Sequence, residues 1–246
     1  MRAAAIYDVH GNLPALEAVL EDIHREGGAD LVVVGGDVLP GPFPREVLAR
    51  LLGLEIPVRF IRGNGDREVL AWRMGVETSA LPEHVRDVLR WTGAELRPED
   101  EILIAGWPAT LDLGVPGIGE VLFCHATPKS DNEVFTRLTP EERLRPVFES
   151  VGAGLVVCGH THMQFDRTVG RTRVVNAGSV GMPFGEPGAD YLLLGPDVCL
   201  RHVAYDLELA AACIRATAYP HAADFADRYI LHPPREDEML RVFTKL

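Results

Sequence analysis

The sequence predicts an α/β fold in which helices cover a largely parallel or mixed sheet. Two observations predict it: short apolar runs alternate with stretches of helical period, and each run stops at a glycine or a polar cluster. The early apolar runs lie at residues 3–7, 31–34 and 58–61. Between them, residues 14–25 repeat apolar side chains at helical spacing, and residues 45–52 form a second predicted helix.

The second half of the chain is richer in predicted strands. Residues 81–91 predict a helix, and strands are predicted at 101–105, 120–124, 155–158, 165–169, 172–175, 191–194 and 198–203. Gly170 and Arg171 separate two of these strands and predict a hairpin turn. Residues 207–244 predict two or three terminal helices. No linker-like boundary divides the chain, so we expect one domain over residues 1–246, with its motifs in 8–181.

The composition narrows the classes of partner. The chain of 246 residues has a formal net charge of -12 and an isoelectric point near 5.2. A duplex nucleic acid or an anionic membrane surface would need a basic stripe, so neither is expected as a partner. A small phosphorylated substrate stays compatible with this charge, because metal ions can reverse the field inside a pocket.

Several features predict a cytoplasmic protein. No apolar run approaches the roughly 20 residues that span a bilayer, and the N-terminus lacks the layout of a signal peptide. The cysteines are too sparse for a disulfide scaffold and predict buried thiols in a reducing compartment; they are Cys124, Cys158, Cys199 and Cys213. The edge strands and terminal helices would allow a homodimer, although no apolar stripe demands one.

Metal-capable side chains follow five of the predicted strands. They are Asp8 and His10, Asp37, Asn64, His125, and His160 with His162. Because ligand sites gather at the carboxyl ends of strands in α/β sheets, we expect these side chains in one pocket. Two carboxylates, one amide oxygen and four imidazoles suit manganese, iron, cobalt, nickel or zinc better than magnesium or calcium. The sequence therefore predicts a transition-metal site.

Two pairs of these side chains have the same spacing. One residue separates Asp8 from His10, and one residue separates His160 from His162. In an extended segment such side chains share a face, so each pair is expected to address one site. Glycines flank the clusters and would allow sharp turns; they are Gly11, Gly36, Gly63 and Gly159.

These blocks, in this order, resemble the motifs of the calcineurin-like metallophosphoesterase superfamily. The resemblance rests on Asp8-Val9-His10, Gly36-Asp37, Gly63-Asn64-Gly65-Asp66, His125 and Gly159-His160-Thr161-His162. Residues 176–181 are similar to a segment of small bacterial and archaeal phosphodiesterase-like members. The resemblance implies a four-layer α/β/β/α sandwich, in which two mixed sheets pack together and helices lie outside.

The resemblance also implies a dinuclear metal centre. One divalent ion would be held by Asp8, His10 and His162, and the second by Asn64, His125 and His160. Asp37 would bridge both ions. Manganese is the preferred metal, with iron, nickel, cobalt or zinc as alternatives.

The implied activity is hydrolysis of a phosphate ester. A hydroxide bridging the two ions would attack phosphorus in line, with Asp37, Asn64 and His125 acting through the metals. Many relatives have histidine where this chain has Gly65, and that histidine is assigned to the leaving group. Since general-acid help is worth roughly 10² to 10⁴-fold, its loss favours a phosphodiesterase over an enzyme for poor monoester leaving groups. The alternatives are a phosphatase for monoesters, nucleotides or phosphoproteins, and a non-catalytic metal-binding scaffold of the same fold.

Three residues are predicted to approach the substrate: Asn12, Asn64 and Arg67. Asn12 could instead cap the following helix, and Arg67 could be solvent-exposed. Asp66 could orient a ligand or cap a helix. Histidines outside the blocks are predicted on the surface; they are His24, His84, His202, His221 and His232. The acidic run 99–101 is predicted to be a solvated turn.

Overall fold

Two five-stranded mixed sheets form the centre of the molecule. The computed structural model describes residues 1–76 and 81–245. From edge to edge, the first sheet contains β10 (Val198–Val203), β9 (Ala189–Leu194), β1 (Ala3–Ile6), β2 (Leu31–Val34) and β3 (Val58–Phe60). The second contains β4 (Thr110–Val115), β5 (Gly119–Cys124), β6 (Leu155–Cys158), β8 (Thr172–Asn176) and β7 (Phe165–Val169).

Helices connect the strands and close the chain. They are α1 (Leu13–Arg25), α2 (Pro44–Leu52), α3 (Asn64–Arg73), α4 (Glu83–Glu95), α5 (Pro98–Ala105), α6 (Glu141–Phe148), α7 (Leu207–Arg215), α8 (Ala222–Phe225) and α9 (Glu236–Phe243). A π-helical turn, Ala226–Leu231, continues α8. Among residues 1–76 and 81–245, no helix has the length and apolar character needed to cross a membrane.

The core between the two sheets is formed by alternate side chains of the strands. Ala3 and Ala5 of β1, and Tyr7 directly after it, pack in the same buried cluster as Phe123 and Val157 of the second sheet. The Tyr7 hydroxyl donates a hydrogen bond of 3.0 Å to the carbonyl oxygen of Val157. This bond satisfies the one polar atom of Tyr7 and ties the two sheets together just before the predicted metal site.

Helices cover the outer face of each sheet. Ile6 of β1 packs in one cluster with Leu16 and Val19 of α1. On the other side of the molecule, Phe148 of α6 packs with Val156 of β6. The layers therefore follow the order α/β/β/α, which confirms the predicted four-layer sandwich.

Residues 101–105 were predicted as a strand, and that prediction is wrong because they form the end of α5. Pro98 occupies the first turn of this helix, and the Asp100 side chain accepts the backbone N–H of Arg97 at 3.0 Å. Asp100 is buried and also pairs with the Arg97 guanidinium. The acidic run 99–101 is thus a helix start, not a solvated turn, because a local cap outweighs the β-like apolar composition.

The cysteines divide into two kinds. Cys124 and Cys158 are buried at the ends of β5 and β6, as predicted. Cys199 lies on the edge strand β10 and Cys213 on α7, and both are exposed. The prediction of buried thiols is therefore wrong for this second pair, whose elements lie at the periphery of the fold.

Candidate metal centre

The functional side chains lie where the strands end. β1, β2 and β3 run parallel, so their carboxyl ends lie at the same end of the first sheet. Asp8, Asp37 and Asn64 lie just beyond these strand ends. β5 and β6 also run parallel, and His125 and His160 follow them in the second sheet. The backbone N–H of His160 donates to Oδ2 of Asp8 at 2.9 Å. The structure thus brings residues that follow the carboxyl ends of strands in both sheets to one place.

Five of the seven predicted ligands have a left-handed backbone conformation. Their φ angles are 54° for Asp8, 46° for His10, 49° for Asp37, 67° for His160 and 57° for His162. Non-glycine residues adopt this conformation rarely, and such strain concentrates at functional sites. The expectation that each closely spaced pair shares the face of an extended segment is therefore wrong. Sharp backbone turns, not strand alternation, direct these side chains.

Asp8, His10 and His162 form one group of donor atoms. The Nε2 atoms of His10 and His162 lie 3.2 Å apart, and Oδ1 of Asp8 lies 4.0 Å from the first and 3.5 Å from the second. Asp8 is fully buried, yet its Oδ1 has no hydrogen-bond partner. A buried carboxylate oxygen without a partner is costly, and a cation among these three atoms would satisfy it.

Asp37 lies between this group and His125. Its Oδ2 is 3.8 Å from Nε2 of His10 and 3.4 Å from Nε2 of His125. Oδ1 of Asp8 is also 3.8 Å from Nε2 of His125, so Asp8, Asp37 and His125 form a second group of converging donors. The place of Asp37 between His10 and His125 suits the bridging role that the motif resemblance implies.

The side-chain amide of Asn64 lies against two imidazoles. One terminal atom of this amide is 3.1 Å from Nε2 of His125 and 3.0 Å from Nδ1 of His160. If the amide nitrogen faces the imidazoles, it donates to them; if the oxygen faces them, it accepts an N–H from a protonated ring or binds a cation between the three side chains. With a cation, the second orientation would make Asn64, His125 and His160 ligands of one ion.

Backbone carbonyls orient two of the imidazoles. Nδ1 of His125 lies 3.0 Å from the carbonyl oxygen of Gly35, and Nδ1 of His162 lies 2.9 Å from that of Met182. A protonated Nδ1 donates to each carbonyl, which leaves each Nε2 free to bind a metal ion. The histidine tautomers are therefore fixed by the backbone around the site.

The carboxylate of Asp66 supports the loops behind the centre. It accepts hydrogen bonds from the N–H groups of Gly63, Asp37 and Leu39 at 3.0, 2.9 and 3.0 Å. Burial and the charge of Asp37 raise the pKa of Asp66 to about 7, against the lowering effect of the N–H donors of Gly63 and Leu39. Of the two roles left open by the sequence, Asp66 performs both: it caps α3 and holds the loop of Asp37.

The charges of the centre shift one another's pKa values. Burial opposes the ionisation of Asp37, but the charges of His125 and His10 outweigh it and hold the pKa below its usual range. Burial would lower the pKa of His125, but Asp37 and Asp8 raise it to about 10. Burial and the charge of His125 lower the pKa of His160 to about 4. Protons and metal ions therefore compete for these donor atoms.

Residues 1–197 match the calcineurin-like phosphoesterase superfamily domain. The chain belongs to this superfamily. Its members are metal-dependent, in agreement with the donor groups that Asp8, His10, Asp37 and His125 form. Membership also supports a hydrolase activity in general terms.

Relatives of this superfamily member include both sequences and solved structures. The chain is 28% identical to an uncharacterized protein of Methanocaldococcus jannaschii, over 73% of this chain and 76% of that protein. It is 27% identical to phosphodiesterase YfcE of Escherichia coli, over 78% of this chain and 85% of that one. A metallophosphoesterase from Sphaerobacter thermophilus is 26% identical, with a TM-score of 0.70 over 93% of this chain and 98% of that chain. A hypothetical protein from Pyrococcus horikoshii shares the fold at 22% identity, with a TM-score of 0.78 over 95% and 99% of the two chains.

The predicted substrate-binding residues Asn12 and Arg67 differ in their surroundings. Asn12 is fully buried: its Oδ1 accepts the N–H of Ala15 at 3.2 Å, and its Nδ2 donates to the carbonyl of Gly181 at 3.0 Å. Of its two predicted roles, the structure shows the cap of α1. Arg67 is 43% exposed and forms a bidentate pair with Asp131, with nitrogen–oxygen distances of 2.7 and 3.1 Å. It lines a small cavity of which His125 is also a wall.

Sequence reasoning missed two histidines near the centre. His84 and His221 are exposed, as predicted, and they also line a cavity together with His10, Asp37 and Asn64. Neither belongs to a motif, and they reach the cavity only because α4 packs near the C-terminal helices. No pattern in the sequence marks either of them.

Proposed function

We propose that this protein is a phosphodiesterase that uses two divalent ions, preferably manganese, to hydrolyse a small phosphate ester. The observation that carries the proposal is the convergence of two donor groups, with Asp37 Oδ2 between His10 and His125 and the buried Oδ1 of Asp8 left without a partner. A net charge of -12 opposes binding of a duplex nucleic acid, so the substrate is small.

The two ions would have different ligands. The first ion would be held by Asp8, His10 and His162, the second would be held by Asn64, His125 and His160, and Asp37 would contribute its carboxylate to both. When bound, the ions supply a hydroxide nucleophile at neutral pH and neutralise charge on the phosphoryl oxygens. The carbonyls of Gly35 and Met182 keep the imidazoles in place while this charge develops.

No thiol of the centre competes as a nucleophile. Cys124 directly precedes His125, and Cys158 ends β6, but both side chains are fully buried. Burial raises the pKa of both thiols well above the usual range. Because only the thiolate is reactive, neither cysteine forms a covalent intermediate in this proposal.

Gly65 supports a diester as substrate. A Cβ atom built at this residue would lie 2.4 Å from the carbonyl oxygen of Leu39 and 3.0 Å from the Pro40 ring. The backbone therefore excludes a histidine at the position where relatives supply help to the leaving group. A diester with a good leaving group depends less on such help than a monoester does. The name of the Escherichia coli relative, phosphodiesterase YfcE, agrees with this preference.

A monoesterase is the second candidate, and Glu68 is the observation that favours it. Glu68 lies on α3, one turn beyond Asn64, and lines the cavity beside the centre. Long helical side chains lean toward the N-terminus, which directs this carboxyl toward the turn of Gly65. Burial raises the pKa of Glu68, with Arg67 opposing and Asp37 reinforcing the shift. A carboxyl that retains its proton closer to neutral pH would serve as an acid for the leaving oxygen.

The test compares bis-p-nitrophenyl phosphate with p-nitrophenyl phosphate, using full-length protein loaded with manganese. We expect faster hydrolysis of the diester, loss of activity in Asp37→Asn, and normal activity in Asp112→Asn, which changes an exposed carboxylate on β4. A strong preference for the monoester that disappears in Glu68→Gln would contradict the proposed diesterase and support the monoesterase. Bound metal without turnover of either ester would identify a non-catalytic scaffold.

A further inference from the structure

A cavity of about 600 Å³ opens directly beside the metal centre. One end is lined by His10, Asp37 and Asn64. The other end is lined by α4 and by residues 219–229 of the C-terminal region. Ligand cavities of drug-sized molecules have volumes of roughly 300 to 1,000 Å³, so this space exceeds what a phosphate group alone would fill.

Part of the far wall, residues 219–229, lies outside the part of the chain that matches the superfamily. The match ends at residue 197, whereas the wall residues Tyr219, His221 and Tyr229 come from the following helices. The donor groups at the near end belong to the shared motifs. The cavity therefore joins the donor groups of the superfamily to a surface that is built in part by a segment beyond the match.

Aromatic side chains give this wall a fixed shape. Tyr219 packs edge-to-face against Trp91 of α4 and against Phe225, with ring centroids 5.3 and 5.7 Å apart. Phe225 contacts Tyr229 at 5.5 Å. Tyr229 itself is only half-buried and borders the cavity, in the π-helical turn that follows α8. An anchored row of rings that ends in a partly open tyrosine is a platform on which a planar ligand can stack.

Polar groups beside the platform supply hydrogen bonds. His221 has a left-handed backbone, with φ of 60°, and its Nε2 lies 3.8 Å from Oδ2 of Asp87. The His84 ring lies edge-on to it, with a centroid distance of 6.5 Å. Among residues 1–76 and 81–245, six non-glycine residues have positive φ; five of them are predicted metal ligands, and the sixth is His221. Its strained backbone holds the imidazole at the border of the cavity.

The acidic groups of the lining disfavour a second phosphate group. Glu68 and Asp224 contribute carboxylates, and among residues 1–76 and 81–245 Arg228 is the one guanidinium that borders the cavity. An organic group without charge avoids repulsion here, whereas a polyphosphate chain would meet these carboxylates.

We propose that this cavity binds the organic group of the phosphate ester, and that the group is a planar aromatic ring system with hydrogen-bonding edges, such as a nucleoside. The proposal rests on the proposed function, because it assumes that the phosphate lies at the metal centre. Tyr229 stacks on the ring, while His84 and His221 contact its edge. Stacking of a base on an aromatic side chain strengthens binding by roughly five- to a hundredfold.

Two probes of equal charge test the proposal: adenosine 5′-monophosphate and methyl phosphate, titrated calorimetrically into the full-length protein loaded with manganese. We expect the nucleotide to bind at least about tenfold more tightly than methyl phosphate. Tyr229→Ala and His221→Ala should remove most of this preference and leave the affinity for methyl phosphate unchanged. Tyr229→Phe should retain the preference, because it keeps the ring.

His232→Ala provides the matched control. His232, like His221, is an exposed histidine of the C-terminal region beside an aspartate, with its Nδ1 3.1 Å from Oδ1 of Asp227, but it does not line the cavity. Equal affinity for both probes in the wild type, or an equal loss for both probes in Tyr229→Ala and His221→Ala, would overturn the proposal. Turnover of bis-p-nitrophenyl phosphate is measured on the same preparations. Absence of turnover with a retained preference for the nucleotide would overturn the proposed hydrolysis and support the binding site.

Discussion

The metal centre and the cavity wall beside it are built in different ways. The centre consists of side chains on short turns at strand ends, and Asp8, Asp37 and His125 are almost completely buried. The wall consists of helical residues that are partly open to solvent, such as His221 and Tyr229. Under the proposed function, the difference teaches that the strand ends position the metal ligands, whereas helices at the periphery provide the surface that would select a substrate.

The largest effect is expected from Asp37→Asn, which would break the centre and leave the wall intact. The Oδ2 atom of Asp37 lies between His10 and His125, and its Oδ1 also accepts the N–H of Gly65 at 2.7 Å. We expect kcat/KM for bis-p-nitrophenyl phosphate to fall on the order of 10³-fold, as when a preorganised charge-stabilising group is lost. Metal content and kinetics are measured together, with Asp112→Asn as control. Activity within tenfold of the wild type would show that Asp37 does not bridge the ions.

A smaller effect is expected from Asp66→Asn, which alters the support of the centre without touching a predicted ligand. The substitution weakens the acceptor for the N–H groups of Gly63, Asp37 and Leu39. Substitutions of residues that hold metal ligands in place typically reduce metal affinity or activity about 10- to 100-fold. Manganese titrations of both proteins provide the measurement. Unchanged affinity and turnover would mean that the loops hold their shape without this carboxylate.

Gly65→Ala tests how tightly the loops of the metal centre are packed, through its effect on the stability of the protein. The new Cβ would lie 2.4 Å from the carbonyl oxygen of Leu39, so the loop of Asp37 or α3 must shift. We expect a loss of about 1–3 kcal/mol in the free energy of unfolding, the usual cost of overpacking. Gly152→Ala is the matched control, because a Cβ there meets no atom within 4 Å. Equal unfolding free energies for the two variants, measured with urea, would contradict this account of Gly65.

The smallest effect concerns His202, which lies outside the donor groups of the centre and outside the cavity lining. A hydrogen bond of 2.7 Å to Asp190, together with the charges of Asp190 and Glu186, raises the pKa of His202. A histidine with a raised pKa stabilises the fold below its unfolded value of about 6.5, and this contribution is lost as pH rises through the folded value. The Tm difference between wild type and His202→Gln should therefore shrink as the pH rises above about 6.5. A difference that is independent of pH would contradict the pairing.

Much of the metal centre could be predicted because its residues follow strands that are evident in the sequence. The runs 3–7, 31–34 and 58–61 are apolar and end at glycine or polar clusters, so the side chains of Asp8, Asp37 and Asn64 were expected at one edge. Parallel pairing then places strand ends together irrespective of the details of packing. The left-handed turns that aim the side chains were not predicted, since two-residue spacing alone suggests an extended segment.

Other parts could not be predicted, for reasons that differ. The apolar run that ends α5 has the composition of a strand. The feature that favours a helix is the N-terminal cap, in which the Asp100 side chain accepts the backbone N–H of Arg97. His84 and His221 come together through packing of elements far apart in sequence, which no local pattern encodes. Cys199 is exposed because β10 is an edge strand, a property of topology and not of composition.

The most direct test of the central claim is the number of ions that the active protein binds. Full-length protein stripped with chelator is titrated with manganese, while bound metal per chain and turnover of bis-p-nitrophenyl phosphate are measured on the same samples. A centre with two donor groups joined by Asp37 predicts saturation at two ions per chain, with turnover that rises until the second ion is bound. Full turnover with one ion per chain, or two bound ions without hydrolysis, would contradict a dinuclear phosphoesterase.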